Sequence, residues 1–105
     1  MEHNDAVNHI LIELSKRGYF VYRREVGLFF DMRGNKRKIG IKGEADIQGI
    51  GPGGRAVAVE VKTGKATRRK EQKRWAERFI QIGGLYELAR INSEEDVKKV
   101  LTNCQ

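Results

Sequence analysis

Two short stretches, AVAVEVK (Ala56–Lys62) and GEADI (residues 43–47), decide how the 105-residue chain folds. In AVAVEVK, Val57, Val59 and Val61 alternate with Ala58, Glu60 and Lys62. Period-two alternation is the signature of a strand, with the valines on one face and the small and charged residues on the other. GPGG, residues 51–54, lies between ADIQGI and this strand. A turn there makes the two segments an antiparallel hairpin. Asp46 is then on the first strand, and Glu60 on the second.

The rest of the chain builds outward from this hairpin. Residues 4–17 read as a helix, because Ala6, Val7, Ile10, Leu11 and Leu14 form one apolar stripe, with Asn4 as cap and Gly18 past its end. GYFVYRREVGLFF is rich in aromatic and branched residues and reads as a strand running into a second extended piece. DMRGNKRKIGIKG reads as a basic, glycine-punctuated loop or loose hairpin. Residues 67–82 form a second helix with Gln72, Trp75, Ala76, Phe79 and Ile80 on one face, stopped by Gly83 and Gly84. LYELARI is a last strand, and Ser93 with Asp96 resembles a capping box opening a short helix that carries Val97, Val100 and Leu101. The predicted architecture is a single α/β domain over residues 1–105, in the order α-β-β-β-α-β-α, with a mixed central sheet of four or five strands flanked by helices.

Composition bounds the function classes. Hydrophobic residues make up 39% and charged residues 33% of the chain. No apolar run is long enough to span a membrane, and MEHNDAVNHI lacks the basic-then-apolar pattern of a secretory leader. The lone cysteine, Cys104, has no internal disulfide partner, which suits a cytoplasmic setting, and no base beside it. One Cys and two His are too few for a structural zinc site. The formal net charge is +7, and more than half of the 21 Lys and Arg fall in two runs. Arg33, Lys36, Arg37, Lys38 and Lys42 make the first; Lys62, Lys65, Arg68, Arg69, Lys70, Lys73 and Arg74 make the second. Such an excess points to a phosphate polyanion as partner.

The two acids specify the chemistry. Carboxylates held close repel unless a cation lies between them. An oxygen-rich, incompletely filled site of this kind suits Mg²⁺, which keeps waters and shares phosphate oxygens with a substrate. Lys62 emerges on the face of Glu60, where it can orient a water or steady charge on a phosphate under attack. The Val61 carbonyl, at the strand end, is a further candidate ligand. The simpler alternative for Glu60 and Lys62 is a surface pair on an edge strand. For Gln72 it is a hydrogen bond to the strand it covers, and for Trp75 it is a core position. His3 and His9 are too few and too isolated for a His-based catalytic site and read as incidental. GIGPGG lacks the Lys-Ser/Thr ending of a P-loop.

Asp46 followed, after a Gly-rich hairpin, by Glu60-Val61-Lys62 resembles the signature of the PD-(D/E)XK nucleases. The string from KGEADI through AVEVKTGKATRRKEQKRW to GG resembles the VRR-NUC branch more narrowly, the virus-type replication–repair nucleases. Gly43 and Gln72 fall where that branch has a Gly before the acid and a Gln in the following helix. Ala45 stands where the family often has Pro. The resemblance implies a Mg²⁺- or Mn²⁺-dependent endonuclease acting on DNA. Asp46, Glu60 and Val61 would hold the metal, with Lys62 and Gln72 in the catalytic site. It also implies a further carboxylate from the first helix: Glu2 by its place at the helix start, with Glu13 as rival. Glu44 is left without a settled role. Lys36, Arg37, Lys38, Lys42, Lys65, Arg68, Arg69 and Lys73 would grip the DNA backbone. Small stand-alone members of this branch act on branched DNA, four-way (Holliday) junctions among them, as homodimers. Two alternatives stay open: a sequence-specific restriction-type endonuclease, and a non-catalytic nucleic-acid-binding module.

Overall fold

The computed structural model describes residues 1–24 and 27–102, with the side chains of residues 27–29, 38 and 39 left aside. Cys104 and the side chain of Lys38 therefore lie outside the described residues. Helix α1 (His3–Lys16) is followed by strands β1 (Phe20–Arg23), β2 (Gly27–Phe30), β3 (Lys36–Ile39), β4 (Ile47–Ile50) and β5 (Ala56–Lys62). Helix α2 (Lys70–Gln81), strand β6 (Leu85–Arg90) and helix α3 (Glu94–Lys98) complete the order. The main sheet runs β1-β4-β5-β6, with β1, β4 and β5 antiparallel and β6 parallel to β5. The mixed α/β sheet expected from the sequence is thus present, with four strands. The basic segment forms a separate two-stranded hairpin, Gly27 to Ile39 pairing with Phe30 to Lys36 at its closed end.

Strand β5 is central, and both of its faces are covered. Val59 and Val61 join Ile47, Ala89 and Ile91 beneath α1 and α3, whose Ala6, Val7, Ile10, Leu14, Val97, Val100 and Leu101 close that core; Val57 is buried further along the strand. Each large aliphatic side chain buried there contributes about 1.5–3 kcal/mol. The other face lies under α2, where Gln72 and Ala76 are buried. Trp75 stacks on Phe79 at 4.9 Å between ring centroids and tilts against Tyr86 at 6.4 Å. Trp75 is accordingly a packing residue. Ile80, expected on the same apolar face, is more than half exposed.

The helix ends differ in detail from the sequence reading. Asn4 does not cap α1; the cap is Glu2, whose carboxylate accepts the Asn4 N–H at 3.0 Å. The Asn4 side chain instead accepts from Arg23 at 2.6 Å. Helix α2 starts at Lys70 rather than at residue 67 and ends against Gly83, whose φ of +99° is open to glycine at little cost. Ser93 precedes α3 without a side-chain capping bond, and the Asp96 carboxylate accepts the Asn92 N–H at 2.9 Å.

Candidate active site

The backbone ladder between β4 and β5 ends at the pair Ile47↔Val59. The next residues on each strand are Asp46 and Glu60, and beyond the ladder the N–H groups of Asp46 and Val61 still need partners. The side chains supply them. Asp46 Oδ2 accepts the Val61 N–H at 2.8 Å, and Glu60 Oε1 accepts the Asp46 N–H at 3.3 Å. Each acid therefore closes the other strand's open end. Asp46 lies just before β4 rather than inside it, which is what frees its side chain to reach across.

Both acids are nearly inaccessible: Asp46 is 5% exposed and Glu60 1%. Burying a carboxylate costs heavily unless it is paired, and here the cations are thinly spread. Lys62 Nζ is 3.7 Å from Glu60 Oε2, and an Arg24 guanidinium nitrogen is 3.8 Å from Asp46 Oδ1. Burial, followed by the charge of Asp46 and a hydrogen bond shared with it, pushes the Glu60 carboxyl up to about 7. Lys62 and Arg24 pull it back only in part. Two hard-oxygen carboxylates that neighbouring cations do not fully balance, beside the Val61 carbonyl, are a donor set that fits a hard divalent ion.

Gln72 connects the parts. Its Nε2 donates to Glu60 Oε2 at 2.8 Å, and its Oε1 accepts from Lys62 Nζ at 3.1 Å and from the Arg69 N–H at 2.8 Å. One amide thus ties the acid, the ammonium and the start of α2. The plain reading of Gln72 as a hydrogen-bonding partner of the covered strand holds, and that strand position is Glu60.

Gly43 sets how closely the preceding loop approaches α2. Its φ is +86°, and a Cβ there would lie 2.3 Å from the Glu71 carbonyl oxygen. Only glycine lets residues 40–46 pack onto the first turn of α2 and deliver Asp46 to Glu60. Glu44 accepts from the Gln48 side chain at 2.9 Å and from the Ile41 N–H at 3.4 Å, so it braces this loop and pairs with no lysine among the described residues.

The first helix reaches the site through His3, a residue read as incidental in the sequence. His3 Nε2 is 3.0 Å from the Val61 carbonyl oxygen and 3.5 Å from Asp46 Oδ2. Glu2 is turned to capping, and Glu13 is engaged by Arg17 at 2.8 Å. The sequence did hold a signal. His3 stands three, four, seven and eleven residues before Ala6, Val7, Ile10 and Leu14, so it heads the buried stripe and faces the sheet. Glu2 lies off that stripe. Arg24 also reaches the site, though no local sequence pattern marks it. Its N–H donates to the Asp46 carbonyl at 2.9 Å and its guanidinium to the Glu44 carbonyl at 2.8 Å, which extends the β1–β4 pairing to the acid. Among the described residues no three His, Cys, Asp or Glu side chains close into a metal cage.

Of the basic residues, Lys36, Lys65, Arg69 and Lys73 are exposed and form no ion pair among the described residues. Arg37 pairs with Asp31 at 3.1 Å and Lys42 with Glu71 at 3.4 Å. Arg68 lies over the Tyr86 ring, 5.8 Å from its centroid. No described helix is long and apolar enough to cross a membrane.

Compared with solved structures, the chain is similar to a VRR_NUC domain, with a TM-score of 0.68 over 98% of this chain and 97% of that one, at 20% identity. No family model matches the sequence, and no curated protein does. The chain has the fold of a VRR_NUC domain.

Proposed function

We propose that this chain is a divalent-metal-dependent nuclease that hydrolyses phosphodiester bonds in DNA. The observation that carries the reading is the reciprocal closure of the β4–β5 ladder by Asp46 and Glu60, which holds two buried carboxylates together beside Lys62. Asp46, Glu60 and the Val61 carbonyl would hold Mg²⁺ or Mn²⁺. When bound, the ion supplies Lewis-acid polarisation of the scissile phosphate and makes a water more acidic.

The chain's own groups do the rest. Lys62 offers N–H donors from a fixed position, because Gln72 Oε1 accepts one of them. A donor fixed in advance stabilises the charge that builds on the phosphate oxygens without reorganising during the reaction. The same ammonium can orient the attacking water. Gln72 is a positioning residue for both Glu60 and Lys62. Lys36, Lys65, Arg69 and Lys73, which form no ion pair among the described residues, offer their charge to the DNA backbone. Arg37, Lys42 and Arg68 must first exchange their present partners, and Lys38 extends the same run. These contacts do not read sequence, so binding falls steeply with salt.

The preference for branched DNA, four-way junctions among them, rests on the family resemblance. A two-fold homodimer would present two such sites to two strands. The test offers linear duplex, flap, fork and four-way junction in parallel with Mn²⁺, to the parent and to Asp46→Asn and Glu60→Gln. The expected result is junction-selective cleavage by the parent, with both variants folded, silent in cleavage and still binding DNA without metal. Cleavage by either variant at the parental rate overturns the site; cutting of plain duplex at fixed positions overturns the substrate.

A further inference from the structure

We propose that Arg90 is a positioning residue for DNA: it fixes the connection from β5 to α2 so that the main-chain N–H groups of Lys65 and Thr67 face outward and take a phosphate of the DNA backbone. The proposal rests on the nuclease reading above. It adds to that reading a contact made by neutral main-chain groups rather than by side-chain charge.

Strand β6 anchors the connection. Arg90 is the parallel partner of Lys62, so its side chain rises on the same sheet face, where the chain leaves β5. Its guanidinium donates to two carbonyls, Gly64 O at 2.7 Å and Ala66 O at 2.6 Å. Just beyond β6, Asn92 Oδ1 accepts the Gly64 N–H at 2.9 Å. The Ala66 N–H closes a turn on the Thr63 carbonyl at 3.2 Å, with Gly64 at a φ of +58°. Arg68 lies over the ring of Tyr86, on the same strand. A stretch with neither helix nor strand of its own is thus tied down by β6 and the residues just after it.

These ties decide where the remaining N–H groups point. In a trans peptide the C=O and the N–H that follows it are antiparallel. The carbonyls of Gly64 and Ala66 turn toward Arg90, so the N–H groups of Lys65 and Thr67 turn away from it. Among the described residues neither N–H meets an acceptor, and both residues are exposed. Two such donors beside the Lys65 ammonium suit phosphate oxygens. The segment runs from Lys62 to Gln72, so a phosphate held on it lies close along the strand to the one under attack.

Arginine suits this task for a geometric reason. Its planar fork reaches two carbonyls at once, whereas lysine delivers the same charge from a single point. Arg90→Lys therefore separates positioning from charge.

The experiment follows the Lys65 and Thr67 amides by ¹⁵N NMR while a short DNA duplex is added in the presence of a chelator, so neither metal nor cleavage enters. Affinity is read in parallel by anisotropy. The variants are Arg90→Lys, Asn92→Ala, which releases the Gly64 N–H alone, and Arg55→Lys as a control, whose side chain bonds the Gly83 carbonyl elsewhere. In the parent and in Arg55→Lys both amides should shift on binding. In Arg90→Lys and Asn92→Ala those shifts should be lost. Affinity should fall about tenfold in Arg90→Lys, the worth of one or two hydrogen bonds, and by less in Asn92→Ala. With Mn²⁺ added, KM should rise in Arg90→Lys and kcat stay near the parent's, because the contact is the same before and during reaction. Arg90→Lys that binds as tightly as the parent with the same amide shifts overturns the proposal, as do parental amides that stay still while DNA binds. Should Arg90→Lys not fold, Asn92→Ala decides by the same criteria. A parent that binds no DNA overturns the nuclease reading itself.

Discussion

Replacing Glu60 with Gln should stabilise the metal-free protein at alkaline pH even as it abolishes cleavage. The Glu60 carboxyl is displaced from an ordinary 4.5 to about 7 by burial and by Asp46. Between those two values the folded protein holds a proton that the unfolded chain has released. Stability therefore falls as pH rises through this window and is level on either side of it. At about 1.4 kcal/mol per pH unit, the ceiling on this loss is about 3 kcal/mol, and relaxation of the site brings the expected value nearer 2 kcal/mol. Gln carries no such penalty, and its amide can still bond Gln72 and the Asp46 carboxylate. The assay is thermal unfolding in a chelator from pH 4.5 to 8.5. The difference between variant and parent should widen with pH by roughly 10 °C for a domain of this size. Titrating groups away from the pair, such as the half-buried Glu87, are common to both proteins and cancel. Adding Mn²⁺ at pH 8 should raise the parent's midpoint and leave that of the variant unchanged. A difference that is flat across the window, or one that narrows with rising pH, refutes the reasoning.

Two further outcomes follow from the geometry. Gly43→Ala places a Cβ 2.3 Å from the Glu71 carbonyl oxygen at a φ of +86°, and it should cost about 2–4 kcal/mol in denaturant unfolding and lower cleavage by moving Asp46. Joint replacement of Lys36, Lys65 and Lys73 by Ala should weaken DNA binding for every sequence tested and reduce the slope of log K against log salt by up to about 3, measured by anisotropy titration.

The pairing of Asp46 with Glu60 was legible because it depends on local rules. Strict alternation in AVAVEVK fixes the faces, and the short glycine turn fixes the hairpin, so the acids can meet only in one register. The basic segment is legible as a loop or loose hairpin, but not its pairing with β2 or its independence from the main sheet, because strand partners are chosen by long-range packing. Arg24 was hidden for the same reason: its position opposite Asp46 follows from the β1–β4 register, which no local pattern states. His3 was missed on chemical grounds. It was judged by the number of histidines rather than by its phase on the helix, and phase is what aims a side chain. Glu2 is the natural choice over Glu13 by its place at the helix start, but a residue just ahead of a helix can also satisfy that helix's free N–H groups, and Glu2 does so.

The exchange at the end of the β4–β5 ladder has a last consequence. The amide protons of Asp46 and Val61 are held by the same carboxylates that would grip the ion. Anything that draws those oxygens outward loosens the two amides, and anything that locks them tightens both. Two main-chain hydrogens are thus wired as gauges of what the site is holding, and their exchange with solvent would register occupancy before a single bond in DNA is cut.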